Sequence, residues 1–200
     1  MIQLYTWTTP NGIKPLIMLE ELGIPYETTW VNIRAGAQHE PSYRAINPNG
    51  KIPSLVDGDL QIFESGAILI HLAEKSGRFL AASGQARIDT LAWLFFQVGG
   101  VGPMFGQYGH FSMASEPIPY AIDRYRDEAR RLLGVLEGRL SDHKYLADEY
   151  SIADIAMVGW VSATTFLKLS LDDFPAVAAW LARVEARPAV QRAKAMKPPE

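Results

Sequence analysis

The chain has 200 residues, enough for one large domain or two small ones. Its composition, 48 % hydrophobic and 20 % charged, is ordinary for a globular protein with a sizeable core. The net charge of −3, without long runs of one sign, argues against a nucleic-acid-binding surface or a polybasic membrane patch. No apolar stretch is long enough to span a bilayer, and the first residues lack the basic region of a signal peptide. We therefore expect a cytoplasmic protein that binds neither nucleic acid nor membranes.

The sequence contains no cysteine. This excludes disulfide bonds, thiolate metal ligands and a catalytic thiol in the protein itself. The four histidines, at positions 39, 71, 110 and 143, are scattered along the chain, so we expect no metal site. Sulfur chemistry would need a thiol that arrives with a ligand.

The first 80 residues alternate between strand and helix patterns. The predicted elements are a strand at 2–7, a helix at 12–22, a strand at 26–33, a short helix or turn at 39–47, a hairpin of two strands around 57–59 and a helix at 65–77. This order, a β-α-β crossover followed by a hairpin and a packing helix, predicts a small four-stranded mixed sheet.

Beyond a linker at 78–86, the chain shows helical periods and no convincing strand. The predicted helices lie at 86–111, with a kink near 99–103, and at 119–140, 151–169 and 174–188. We therefore expect an α/β domain at 1–79 followed by an all-α domain at 86–200.

One stretch of the α/β half, TWTTPNGIK at 6–14, has two interpretations. Thr9, Asn11 and Gly12 end a strand and begin a helix, and these residue types favour a turn and a helix cap. The stretch also suits a bound thiol. A helix N-terminus and the hydroxyl and amide donors of Thr9 and Asn11 would favour the thiolate form.

Two further stretches have a structural and a functional interpretation. Ile52-Pro53 fits the start of an edge strand, whereas a cis bond, which is uncommon even before proline, would free the Ile52 backbone to pair with an extended peptide. Glu64 and Ser65, in FESGAIL at 63–69, fit helix initiation. They would also suit an α-amino acid end, with its carboxylate at Ser65 and its ammonium at Glu64. All three stretches fall on one edge of the predicted sheet, in the order thiol, peptide, amino acid.

Over essentially its whole length the sequence resembles the glutathione transferases. The stretches that carry the resemblance are TPNGIK, NPNGKIPSLVD, FESGAILIHLAEKSG, LFFQVGGVGPMFGQ, IPYAIDRY and YSIADIA. In YSIADIA, Ser151 and Asp154 have the spacing of a helix capping box. The resemblance implies a thioredoxin-like α/β domain that binds glutathione and an all-α domain with the substrate pocket and dimer contacts. The QVGGVGPMFGQ run is most similar to the bacterial Nu class, the glutathione-dependent disulfide-bond reductases.

The resemblance also implies roles for single residues in the thiol and glycine parts of the site. Thr9 and Asn11 would lie beside the glutathione sulfur and form the catalytic pair. Gln38 and Lys51 would reach toward the glycine carboxylate end.

Five more residues receive roles from the same resemblance. Ile52 would offer its backbone to the cysteinyl part of glutathione, next to a cis Pro53. Glu64 and Ser65 would hold the γ-glutamyl group. Arg124 would reach across from the partner subunit of a homodimer.

The activity implied is thiol–disulfide exchange, with glutathione or glutathione disulfide as co-substrate, a small disulfide as substrate and no metal. One alternative is a glutathione transferase or peroxidase that acts on electrophiles or hydroperoxides through the same sulfur site. A second alternative is a glutathione-fold module that binds without catalysis.

Overall fold

The computed structural model describes residues 1–199, so Glu200, the last residue of the predicted second domain, lies outside the described residues. The chain forms two compact units. The first comprises Met1–Ala82 together with the residues from Ala186 onward, and the second comprises Ser83–Glu185. The second unit thus ends before the predicted boundary, because the end of the chain returns to the first unit.

A four-stranded mixed sheet, as predicted, forms the centre of the first unit. Its strands are β1 (Ile2–Thr6), β2 (Tyr26–Trp30), β3 (Ser54–Asp57) and β4 (Leu60–Phe63), in the order β2-β1-β3-β4. β1 runs parallel to β2 and antiparallel to β3, and β3 and β4 form the predicted hairpin. Leu4 and Leu55 are fully buried in the two central strands.

The register of the sheet brings the three chemically interesting stretches to one end. Tyr5 of β1 pairs with Ser54 of β3, and Ser54 pairs in turn with Phe63 of β4. The C-terminal end of β1, the N-terminal end of β3 and the C-terminal end of β4 therefore lie side by side. The prediction that they share one edge is confirmed.

Several helical elements accompany this sheet in the first unit. They are α1 (Ile13–Leu22), a 3-10 turn at Ala37–His39, α2 (Pro41–Arg44) and α3 (Ser65–Ser76). α1 ends at Gly23, whose left-handed backbone (φ 66°) stops the helix as predicted. α1 packs against α3, and its residues Leu16 to Leu19 are buried.

The second unit is helical throughout its regular structure. Its helices are α4 (Gly84–Phe96), α5 (Gly102–Ser112), α6 (Pro119–Asp142), α7 (Ile152–Ser162), α8 (Thr164–Leu167) and α9 (Pro175–Glu185). Within residues 1–199, no helix combines the length and the apolarity needed to cross a membrane.

Two of the predicted helices in this unit are interrupted. The helix predicted at 86–111 contains a π-helical stretch at Gln97–Val101, where a Cβ on Gly102 would lie 2.8 Å from Gln97 Nε2 and 3.2 Å from Trp160 Nε1. The helix predicted at 151–169 divides into α7 and α8. There the Thr164 hydroxyl donates to the Val161 carbonyl at 2.7 Å and so competes with the helical pattern.

The predicted capping box at the start of α7 is confirmed. The Asp154 carboxylate accepts from the Ser151 N–H at 3.0 Å, and it also accepts from the Leu146 N–H and from Trp180 Nε1. Burial raises the pKa of this carboxyl, while its hydrogen bonds oppose the rise. Asp154 therefore ties three parts of the second unit together in a structural role.

The last helix, α10 (Pro188–Ala195), packs against α1 in the first unit. Arg187, just before α10, donates to the Glu21 carboxylate at 2.6 and 3.0 Å. Arg192 donates to Glu20 at 2.6 Å. Two ion pairs therefore fix the end of the chain to the helix that follows β1.

Candidate active site

Hydroxyl groups hold the turn between β1 and α1. Thr6 Oγ1 donates to the Gly12 carbonyl at 2.8 Å, and the Gly12 N–H donates to Thr9 Oγ1 at 3.0 Å. A Cβ on Gly12 would overlap the Trp7 carbonyl oxygen and lie 2.6 Å from Thr6 Oγ1. Close approach, and not an unusual φ, therefore requires glycine at this position.

Thr9 and Asn11 lie in this turn, half-buried, immediately before α1. The turn interpretation of the stretch is confirmed, because the Thr9 side chain accepts from the Gly12 N–H and its carbonyl accepts from the Ile13 N–H at 3.1 Å. Gly12, the N-cap residue of α1, makes no side-chain capping bond. Since Thr9 Oγ1 acts as the acceptor in the first of these bonds, its own hydroxyl hydrogen can still donate to a ligand. The turn is therefore compatible with a thiol site.

The Ile52-Pro53 bond is cis, as the resemblance implies. The segment just before it is held by side chains. The Lys51 carbonyl accepts from the Tyr43 hydroxyl and the Asn47 amide, and the Tyr43 hydroxyl also lies 2.9 Å from Ser54 Oγ. Burial raises the pKa of the Tyr43 hydroxyl, so this group stays a hydrogen-bond donor. The Tyr43 and Asn47 side chains thus hold the backbone that leads into β3.

Gln38 lies next to this segment. A Cβ on Gly50, whose φ is 62°, would come within 3.2 Å of the Gln38 carbonyl, so the two backbones touch beside Lys51. Gln38 Oε1 is buried without a hydrogen-bond partner, while its Nε2 lies 3.1 Å from His39 Nε2. The structure therefore brings Gln38 and the exposed Lys51 to the same corner of the first unit.

Glu64 and Ser65 begin α3 at the same end of the sheet. Glu64 is exposed and has a φ of 70°, a conformation that costs a residue with a side chain about 1–3 kcal/mol and that clusters at functional sites. Ser65 is buried, and its hydroxyl accepts a hydrogen bond from Lys14 Nζ at 3.3 Å. An exposed carboxylate and a buried hydroxyl thus stand next to each other.

Lys14, the partner of Ser65, is a residue that the sequence pattern did not single out. Its side chain is 1 % exposed, although it carries an amine. Burial lowers the pKa of Lys14 to about 7, and the charge of Glu64 opposes that shift. The signal was present in the sequence, since Lys14 interrupts the otherwise apolar run from Ile13 to Leu19.

Arg124, the remaining predicted site residue, belongs to the second unit, whereas the other predicted site residues belong to the first. It is exposed on α6, where Asp123 and Glu128 line the same surface groove. Hydrogen bonds from Arg131, assisted by the charge of Arg124, lower the pKa of the Glu128 carboxyl. Among residues 1–199, no cluster of three or more His, Asp or Glu side chains is arranged to hold a metal ion.

Comparison with protein families matches both halves of the chain. Residues 1–74 match the glutathione S-transferase N-terminal domain, and residues 103–188 match the glutathione S-transferase C-terminal domain. The chain therefore belongs to the glutathione S-transferase family.

Individual relatives are similar over nearly the whole length. The disulfide-bond oxidoreductase YfcG of Escherichia coli (strain K12) is 47 % identical over 202 residues, which cover 96 % of this chain and 94 % of the relative. A glutathione transferase family member from Pseudomonas fluorescens, with two glutathione molecules bound, superposes with a TM-score of 0.93 at 44 % identity, covering 96 % and 92 % of the two chains. A glutathione transferase from Pseudomonas putida, with one glutathione disulfide bound per subunit, has a TM-score of 0.92 at 43 % identity, covering 98 % and 91 %.

Proposed function

We propose that this protein is a glutathione-dependent disulfide-bond oxidoreductase. One observation carries the proposal: a turn whose Thr9 hydroxyl can still donate, with Asn11 beside it, stands at a helix N-terminus in a chain that has no cysteine. Such a site would stabilise a thiolate, and the thiol must come from a ligand because the protein has none. The 47 % identical relative is named as a disulfide-bond oxidoreductase, and solved relatives hold glutathione or its disulfide.

The proposed site follows the sheet edge. Thr9 and Asn11 act on the glutathione sulfur. The Ile52-Pro53 backbone pairs with the cysteinyl part, Gln38 and Lys51 take the glycine end, and Glu64 with Ser65 takes the γ-glutamyl end. The shared register of β1, β3 and β4 supports this order.

The proposed reaction is a pair of thiol–disulfide exchanges. The thiolate of one glutathione attacks a sulfur of the substrate disulfide, forming a mixed disulfide and releasing one substrate thiolate, which takes up a proton. The thiolate of a second glutathione attacks the glutathione sulfur of the mixed disulfide. The products are glutathione disulfide and the second substrate thiol. The protein raises the thiolate fraction through the donors of Thr9 and Asn11 and aligns the sulfurs.

The test is glutathione-dependent reduction of hydroxyethyl disulfide, followed through NADPH consumption by added glutathione reductase. We expect turnover in the parent protein and a large loss in the Thr9→Val, Asn11→Ala double variant. No turnover above the uncatalysed rate in the parent would overturn the proposal. Parallel assays with aryl halides and hydroperoxides separate it from the transferase and peroxidase alternatives, and binding of glutathione without turnover of any substrate would favour the binding module.

We further propose a homodimer in which Arg124 of one subunit completes the glutathione site of the other. The exposure of Arg124 on α6, close to the highly exposed Tyr120, supports this assignment. In this arrangement residues 1–79 bind glutathione, and residues 86–200 supply the substrate pocket and dimer contacts. Light scattering gives the mass of the protein in solution and so tests the homodimer, and Arg124→Ala should raise the KM for glutathione.

We also propose a cytoplasmic location, where reduced glutathione is abundant.

A further inference from the structure

A buried lysine stands behind the proposed γ-glutamyl site. Lys14 lies in the first turn of α1, and its Nζ donates to Ser65 Oγ at 3.3 Å. The negative charge of Glu64 also interacts with the Lys14 amine. Burial of an amine at 1 % exposure carries a large desolvation cost. The first turn of a helix is also an unfavourable place for a cation, because the helix dipole is positive there. Burial and the helix dipole therefore both disfavour a charged lysine at this position.

The hydrogen bond to Ser65 has a directional consequence. A charged lysine amine has three donors and no acceptor, so the Ser65 oxygen must accept from it. The single hydroxyl hydrogen of Ser65 is then left to donate to another group. Ser65 is the first residue of α3, so that hydrogen stands beside the free N–H groups of the first turn. Together these donors suit a carboxylate.

We infer that Lys14 is a positioning residue, which turns the Ser65 hydroxyl into a donor for the α-carboxylate of the γ-glutamyl group and places a positive charge behind it. This inference rests on the proposed function, because it assumes that glutathione occupies the site.

The electrostatics of the site are consistent with this role. Burial lowers the pKa of Lys14 to about 7, so the side chain is close to its point of half-protonation at neutral pH. The nearby carboxylate of Glu64 favours the charged form. A ligand carboxylate at Ser65 would favour it further, because an opposite charge stabilises the ammonium. At the C-terminal end of α1, Glu20 and Glu21 are already engaged by Arg192 and Arg187 of the α10 segment.

The experiment measures binding by calorimetry with two ligands. One is glutathione, and the other is 4-aminobutanoyl-cysteinyl-glycine, which retains the amine, the thiol and the glycine carboxylate but lacks the α-carboxylate. The variants are Lys14→Met, which has similar length and no charge, and Lys14→Gln, a shorter neutral donor. Lys75→Met serves as the matched control, since Lys75 lies at the far end of α3 and bonds Asp57. Thermal unfolding and circular dichroism identify the variants that fold.

In the parent protein we expect glutathione to bind more tightly than the analogue. In Lys14→Met we expect glutathione to bind about tenfold more weakly, as for loss of a charge-assisted hydrogen bond, while the affinity for the analogue changes little. Lys14→Gln should lose less affinity for glutathione, because its amide can still donate to Ser65. Lys75→Met should bind both ligands as tightly as the parent protein. In turnover, the loss should appear in KM for glutathione and not in kcat.

Two results would overturn the inference. If the parent binds glutathione but the folded Lys14 variants lose affinity equally for both ligands, Lys14 has a general structural role, and the proposed function stands. If the parent binds neither ligand, the proposed function and this inference fail together.

Discussion

The two ends of the candidate site are built from different chemistry. The proposed thiol end has neutral groups: the Thr9 hydroxyl, the Asn11 amide and the N-terminus of α1. The proposed γ-glutamyl end has charged groups: the exposed Glu64 carboxylate and the buried Lys14 behind Ser65. The difference suits the proposed tasks, because the sulfur changes charge during exchange whereas the amino acid end remains a zwitterion. Neutral donors favour the thiolate without the loss of nucleophilicity that a strongly lowered thiol pKa brings.

The thiol end should be the more sensitive of the two to a change of shape. Gly12→Ala would put a Cβ against the Trp7 carbonyl and Thr6 Oγ1, so the turn that carries Thr9 must move. We expect kcat/KM to fall about 100-fold, as for a displacement of about 1 Å at a reacting group. Steady-state kinetics on hydroxyethyl disulfide checks this. The control is Gly138→Ala on α6, where a Cβ meets open space; equal losses in both variants would contradict the prediction.

Removing the hydroxyl at the thiol end should affect the chemical step. Thr9→Val keeps the shape of the side chain but neither accepts from the Gly12 N–H nor donates to sulfur. We expect kcat to fall about 30-fold with little change in KM for glutathione, and the apparent pKa of the bound thiol to rise, since a donor to the thiolate is lost. The pH profile of kcat measures that pKa. Thr9→Ser should retain most activity, and an unchanged profile in Thr9→Val would assign the thiolate to Asn11 instead.

The γ-glutamyl end should respond in binding and not in kcat. Ser65→Ala removes the hydroxyl between Lys14 and the ligand, so we expect KM for glutathione to rise about tenfold with kcat close to that of the parent. Ser65→Thr, which keeps a hydroxyl, is the matched variant. A fall in kcat as large as that of Thr9→Val would remove the distinction between the two ends.

The buried charge should also make stability depend on pH. The folded-state pKa of Lys14, about 7, lies below its ordinary value of 10.5, so the unfolded chain binds more protons between these values. The free energy of unfolding should therefore rise with pH in this window, by up to about 1.4 kcal/mol per pH unit from Lys14 alone. Lys14→Met should lack that contribution. Urea unfolding of the parent and of Lys14→Met from pH 6 to 9 measures the difference in their free energies of unfolding. If the two free energies change with pH in parallel, the prediction is wrong.

The sequence predicts most of the first unit because its signals are local. Alternation marks the strands, Gly23 marks the end of α1, and the order of elements restricts the sheet to few arrangements. The shared end of β1, β3 and β4 follows from that topology. The family resemblance adds the cis bond before Pro53, which local propensity disfavours.

The features that sequence reading missed depend on tertiary contacts. The role of Lys14 depends on a hydroxyl 51 positions further along the chain. The close approach of Gly102 to Trp160, next to the π-helical stretch, joins residues 58 positions apart. The return of α10 to the first unit depends on ion pairs to α1 across more than 160 positions. No local pattern encodes such partners.

That return of α10 has a consequence for synthesis. Because Glu20 and Glu21 pair with Arg192 and Arg187, the first unit lacks this packing partner until residues 187–195 leave the ribosome. The α1 surface that α10 covers stays open while the whole second unit is translated. The first unit is therefore completed only after the second unit has been synthesised, and termination before Ala186 would leave the proposed glutathione-binding unit unfinished.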